Sequence, residues 1–205
     1  GSEGDTDTID IFLQDTDGTL REITDHGLRL SMPREGLAVT TVADKFVIFA
    51  GGDTETIDIF EYVGDCLIAI TNHGLSLESS RKYLAGTSVN NLAVFAGGYS
   101  GSQYFKTVDV FCYGSDGTWS KLDNEAHNLR ELFIARSHLV GATVGNCVIF
   151  AGGKKIHPTS YFDRIDVFEY FEDEDQGKGN LQNVSNLLDN NCLLYTSPSP
   201  RDLLK

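Results

Sequence analysis

Apolar residues in this chain fall in short runs, not at helical spacing. "LAVTTV" (37–42), "KFVIFA" (45–50), "TIDIFEY" (56–62) and "CLIAIT" (66–71) follow one another with little between them. They are rich in Val, Ile, Phe and Thr, which pleated, half-buried strands favour. Their lengths suit strands and are too short for helices. The dipeptides Ala43–Asp44, Asn90–Asn91 and Gly145–Asn146 are of the tight hairpin kind. "DTDGT" (15–19) and "GSDGT" (114–118) mark a second kind of turn, between third and fourth strands. The pattern therefore predicts four antiparallel strands joined in order.

The pattern then repeats. "VIFAGG" occurs at 47–52 and again at 148–153, with "LAVFAGG" at 92–98. The glycine pairs are Gly51–Gly52, Gly97–Gly98 and Gly152–Gly153, spaced 46 and 55 residues apart. Each pair is followed by an echo: "TIDIF" (56–60), "TVDVF" (107–111) and "RIDVF" (164–168), with another "TIDIF" at 8–12. Arg34, Arg81 and Arg136 each stand 15 or 16 residues before the alanine of an "AGG". A period of about 50 residues with four strands per unit is the signature of propeller blades. Strands packed on both faces read as continuous apolar runs. Where such a strand ends against a crowded neighbour, glycine tolerates both the close approach and a positive φ.

The order of arginine, apolar strand, tight turn, apolar strand ending in Gly-Gly, and "(I/V)D(I/V)F" resembles the kelch repeat over residues 5–191. Trp119 stands where kelch repeats usually carry tryptophan; Leu20, Leu67 and Leu181 take its place in the other units. The fold expected is all-β: a kelch-type propeller fragment of about three and a half four-stranded antiparallel blades, with an incomplete ring. Its parts are the second half of a blade (1–28) and three repeats (29–74, 75–128 and 129–191). Propellers usually close with ~4–8 blades, so we expect further blades outside this sequence.

The tail, "CLLYTSPSPRD" (192–202), holds two of the four prolines and resembles the translation of a sequencing-library adaptor. Residues 192–205 are therefore read as non-native. The formal net charge of −14 argues against nucleic acid or an anionic membrane as partner. No apolar run approaches the ~20 residues of a membrane-spanning helix.

The candidate chemistry is mostly structural. His26, His73 and His127 recur at one repeat position, where a turn role outweighs a metal ring. Arg34, Arg81 and Arg136 are expected to be buried, satisfying carbonyls between blades. Asp10, Asp58, Asp109 and Asp166 repeat within strands and are expected to find a structural partner, such as the repeat arginine. "DTDGT" lacks the first and last acidic positions of a calcium loop. Cys66, Cys112 and Cys147 fall in predicted strands, as buried thiols do. The absence of a disulfide framework leans toward a reducing, intracellular compartment. No catalytic residue, metal or cofactor is expected.

The connections after the second and third glycine pairs are longer and richer. "YSGSQYFKT" (99–107) carries Tyr99, Tyr104 and Phe105; "KKIHPTSYFDR" (154–164) carries Lys154, Lys155, His157, Tyr161 and Phe162. In a four-stranded meander these links share a face with the blade-to-blade connections. Aromatic and basic residues on exposed loops suit protein contacts. The expected function is binding of a protein or peptide at that face, without covalent chemistry. By the resemblance, this would serve substrate recruitment or scaffolding. The resemblance also implies a rival. Some kelch-like propellers are copper oxidases or process sialic acid, and their active-site residues would here lie in blades outside the sequence.

Overall fold

The computed structural model describes residues 6–24, 26–64, 66–122, 130–156, 159–173 and 178–185. The expected 192–205 tail, His127 and His157 lie outside them. Among the described residues the chain is all-β, without an α-helix.

Three four-stranded antiparallel sheets follow in sequence. The first blade is β3 (Leu37–Val42), β4 (Phe46–Gly51), β5 (Ile57–Val63) and β6 (Cys66–Ile70). The second is β7 (Ala85–Val89), β8 (Leu92–Ala96), β9 (Val108–Tyr113) and β10 (Trp119–Lys121). The third is β11 (Val140–Val144), β12 (Cys147–Ala151), β15 (Ile165–Asp173) and β16 (Lys178–Asn183). Ahead of them, β1 (Ile11–Gln14) and β2 (Leu20–Ile23) form a two-stranded sheet equivalent to the last two strands of a blade. The arc is three and a half propeller blades, and its ring is open.

One departure is the segment 154–164. It forms its own hairpin, β13 (Lys154–Ile156) paired with β14 (Thr159–Tyr161), where an extended loop was expected. Lys154 stands opposite Tyr161, and Lys155 opposite Ser160.

The tight turns match their sequences. Ala43, Asp44, Asn90 and Gly145 all adopt positive φ, between +51° and +55°. In "DTDGT", Asp17 Oδ1 accepts the Thr19 N–H at 2.9 Å; Asp116 does the same for Thr118 at 3.0 Å.

Blades pack by alternate faces. Ala38, Val42, Ile48, Ala50, Ile57 and Ile59 of the first blade meet Ala93, Phe95 and Phe111 of the second. Val89, Val94 and Val110 of the second meet Val148, Phe150 and Phe168 of the third. Trp119 and Tyr113 reach back to Phe46, ring centroids 5.2 and 4.5 Å away. Of the cysteines, Cys112 is buried as expected. Cys66 is exposed because β6 is an outer strand with one wet side.

The repeated signature builds the joints. Arg34 lies 2.5 Å from Asp58, Arg81 2.5 Å from Asp109, and Arg136 2.7 Å from Asp166. Each carboxylate also accepts the backbone N–H three residues before its arginine: Ser31 at 3.2 Å, Glu78 at 3.2 Å and Phe133 at 2.8 Å. Arg136 further donates to the carbonyls of Gly152 and Phe150, at 2.7 and 3.3 Å. All six repeat glycines have φ between +67° and +115°. The second of each pair makes room for its own arginine: a Cβ on Gly52 would lie 2.9 Å from the Arg34 stem. The first makes room for the next blade: a Cβ on Gly51 would lie 2.7 Å from the Arg81 carbonyl, and one on Gly97 2.7 Å from that of Arg136. Two glycines are needed because two different groups press on the strand end.

Candidate functional site

The blade joints place one set of residues at a common end of the arc. The second residue after each repeat arginine is held in the left-handed region: Gly36 (φ +65°), Tyr83 (+57°) and His138 (+56°). Such a φ is uncommon for bulky residues and marks a backbone fixed by its surroundings. Here a ladder crosses the blades. The Tyr83 N–H donates to the Gly36 carbonyl at 2.7 Å, and the His138 N–H to the Tyr83 carbonyl at 2.8 Å. The rings stack: Tyr83 and His138 have centroids 4.2 Å apart and planes inclined by 21°. Gly36 is glycine because a Cβ there would lie 2.9 Å from the Tyr83 ring.

The links after the glycine pairs join this ladder. Lys82 and Tyr99 exchange two backbone hydrogen bonds of 2.9 Å; Ser137 and Lys154 exchange two of 3.1 and 2.8 Å. The shared face expected for these connections is thus a direct backbone pairing. The Glu35 carboxylate accepts from Lys82 Nζ at 3.2 Å and from the Tyr83 hydroxyl at 3.3 Å. The Tyr99 and Tyr104 rings lie 4.7 Å apart, and the Tyr99 hydroxyl donates to the Gly101 carbonyl.

The residues singled out on the sequence separate here. Tyr161 is 79% exposed, and Lys154 and Lys155 are half-buried. Tyr99, Tyr104 and Phe162 are half-buried too. Phe105 is buried, with the Arg81 guanidinium 5.8 Å from its ring, so it belongs to the core and offers no surface. Tyr83, His138, Lys82 and Glu35 were not singled out. The signal was present, since Gly36 occupies the same repeat position as Tyr83 and His138.

Charge is distributed unevenly. Lys45, Lys82, Lys121 and the arginines at 21, 29, 34, 81 and 136 all lie in ion pairs. Lys154, Lys155 and Arg164 make no ion pair with another described residue. Burial holds the His138 imidazole below its ordinary range, and the nearby Lys154 charge adds to this, so the ring is neutral near pH 7. Ser137 Oγ lies 2.9 Å from His138 Nδ1, but Ser137 is fully buried and cannot meet a substrate.

The repeat histidines serve turns. His26 Nδ1 accepts the Leu28 N–H, and His73 Nδ1 the Leu75 N–H, both at 3.1 Å. No group of three potential metal ligands occurs among the described residues.

A separate apolar cleft of about 750 Å³ lies between hairpin β1–β2 and the first blade, lined by Ile11, Phe12, Leu13, Phe46 and Val47 among others.

No protein-family profile matches the chain, and no curated protein matches it. Among solved structures it is similar to "Structure of YjhT", at 16% identity and a TM-score of 0.58. That likeness covers 82% of this chain and 50% of the other, so the chain spans about half the length of that structure. Matches extend to 152 solved chains, so the likeness shows the propeller fold without singling out one activity.

Proposed function

We propose that this chain is part of a kelch-type propeller that binds a protein or peptide at the end carrying the Gly36–Tyr83–His138 ladder. The observation that carries the proposal is hairpin β13–β14. It is present in one of the three blades, its Tyr161 is largely exposed, and its Lys154 and Lys155 make no ion pair with another described residue, whereas most other described cations do. Exposed aromatic and basic groups on a rigid support are what interface hot spots are made of. The kelch assignment rests on the arginine, glycine-pair and aspartate signature and its repeated joint. Recognition is by shape and charge. Lys154, close to His138 of the stacked Tyr83–His138 pair, and Lys155 favour an acidic segment that carries an aromatic or flat group.

The test is selection from a displayed random-peptide library against the folded chain. Expected is enrichment of acidic peptides that bind the wild type and lose binding to Lys154→Glu/Lys155→Glu and to Tyr161→Ala. Enriched peptides that bind these variants as well as the wild type would overturn the proposal, as would the failure of any peptide to enrich.

A further inference from the structure

The links that leave the glycine pairs change character from blade to blade. The residue after the pair is Asp53 in the first blade, Tyr99 in the second and Lys154 in the third. In the first blade the residue after the repeat arginine is acidic too, Glu35. Lys82 of the second blade reaches back to both carboxylates, 3.2 Å from Glu35 and 3.7 Å from Asp53. One ammonium offsets only one of two carboxylates, and both acidic side chains are more than half exposed. The first blade therefore carries an excess of negative charge at the ladder end.

The second blade offers rings instead, with Tyr99 packed on Tyr104. The third offers the β13–β14 hairpin, in which Lys154 stands opposite Tyr161. Residues directly opposite on a sheet project from one face, so Lys154 and Tyr161 are presented together, and Lys154 lies close to His138. Negative, aromatic and positive groups thus follow one another along the Gly36–Tyr83–His138 ladder. The order is written in the links themselves, and the second blade, at its centre, has a complete blade on either side. The ladder also sets a distance. Hydrogen-bonded neighbouring backbones lie about 4.8 Å apart, so two steps span about 10 Å, which an extended peptide covers in about three residues.

We infer that the ligand is an extended segment with ordered charges. A basic residue lies over the first blade, an aromatic one over the second and an acidic one over the third. The two charges stand about three positions apart. This inference rests on the binding reading above and adds the order of charges to it. Complementary charges at an interface fix register and suppress wrong partners more than they add strength. The ladder end therefore selects which way round the segment lies, and a uniformly acidic segment meets Glu35 and Asp53 unfavourably.

Selection from a displayed random-peptide library, run in parallel against the whole wild-type chain and Glu35→Gln/Asp53→Asn, tests this. Glutamine keeps an acceptor oxygen for Lys82 and Tyr83, and asparagine tolerates the positive φ of Asp53. Circular dichroism and melting of the variant should therefore match the wild type. Expected from the wild type are acidic peptides with a Lys or Arg about three positions from an acidic residue, always on the same side of it. Replacing that Lys or Arg by Ala in a synthetic copy should weaken binding to the wild type about two- to fivefold, as rim ion pairs do, and leave binding to the variant unchanged. Acidic peptides without a basic preference, or a basic preference that persists against the variant, overturn the charge order and leave the binding reading standing. Peptides indifferent to Lys154→Glu/Lys155→Glu, or no enrichment at all, overturn the binding reading and this inference with it.

Discussion

Arg81 donates to Asp109 Oδ2 at 2.5 Å, and neither side chain is open to solvent. The same carboxylate takes the Glu78 N–H and lies 2.7 Å from Lys121 Nζ. One aspartate thus ties the start of the blade, its third strand and its fourth. Removing one partner of a buried pair leaves an uncompensated charge, which costs about 3–5 kcal/mol. Asp109→Ala should lose that much in urea unfolding. Arg81→Met/Asp109→Leu should lose less than Asp109→Ala alone. Equal losses would mean that the pair is not what holds the joint.

Gly97 and Gly152 have nearly the same backbone angle, φ +68° and +67°, but different neighbours. A Cβ on Gly97 would lie 2.7 Å from the Arg136 carbonyl, whereas one on Gly152 meets nothing nearer than 3.9 Å. The left-handed conformation costs an L-residue about 1–2 kcal/mol at either site. Gly152→Ala should therefore lose about that, and Gly97→Ala clearly more, by thermal unfolding of the two variants side by side. Equal losses would remove interblade crowding as the reason for the first glycine.

Phe105 and Tyr161 were equivalent on the sequence and are opposites in the fold. Phe105→Ala should cost about 3–5 kcal/mol, as large-to-small core changes do. Tyr161→Ala should stay within about 0.5 kcal/mol, as surface changes do. Denaturant midpoints of the two variants check this. A stable Phe105→Ala protein would return that residue to the surface.

Why these two residues could not be told apart marks the limit of reading this chain. The blades were legible because a strand packed on both faces must be apolar throughout, and "VIFAGG" says so three times. The Arg–Asp pairing was legible because both residues recur in phase. Phe105 was not, since an aromatic in a link reads alike whether it points out or folds beneath an arginine. Hairpin β13–β14 was hidden because three-residue strands leave no pattern. Cys66 read as buried because an outer strand keeps an apolar composition with one side wet. Tyr83 and His138 were missed because a left-handed φ shows in a sequence only where glycine adopts it, as at Gly36.

Burial holds His73 and His138 below the ordinary histidine range. Between about pH 6.5 and the lower folded value, the unfolded chain binds more protons than the folded one. Stability from this source is therefore complete above about pH 6.5 and falls as the solution is acidified below it. Urea midpoints measured between about pH 7 and pH 5 should drop. His73→Asn/His138→Asn should flatten that drop, since asparagine tolerates the positive φ of His138. An unchanged slope would assign the acid sensitivity elsewhere.

The proposed function makes its strongest commitment about place. A photo-reactive form of a selected peptide, cross-linked to the chain and mapped by mass spectrometry, tests that directly. The account predicts adducts at Lys82–Tyr83, Tyr99–Tyr104, His138 and the β13–β14 hairpin, all at the ladder end. Adducts confined to the cleft between β1–β2 and the first blade, at Phe12, Leu13 or Val47, would contradict it.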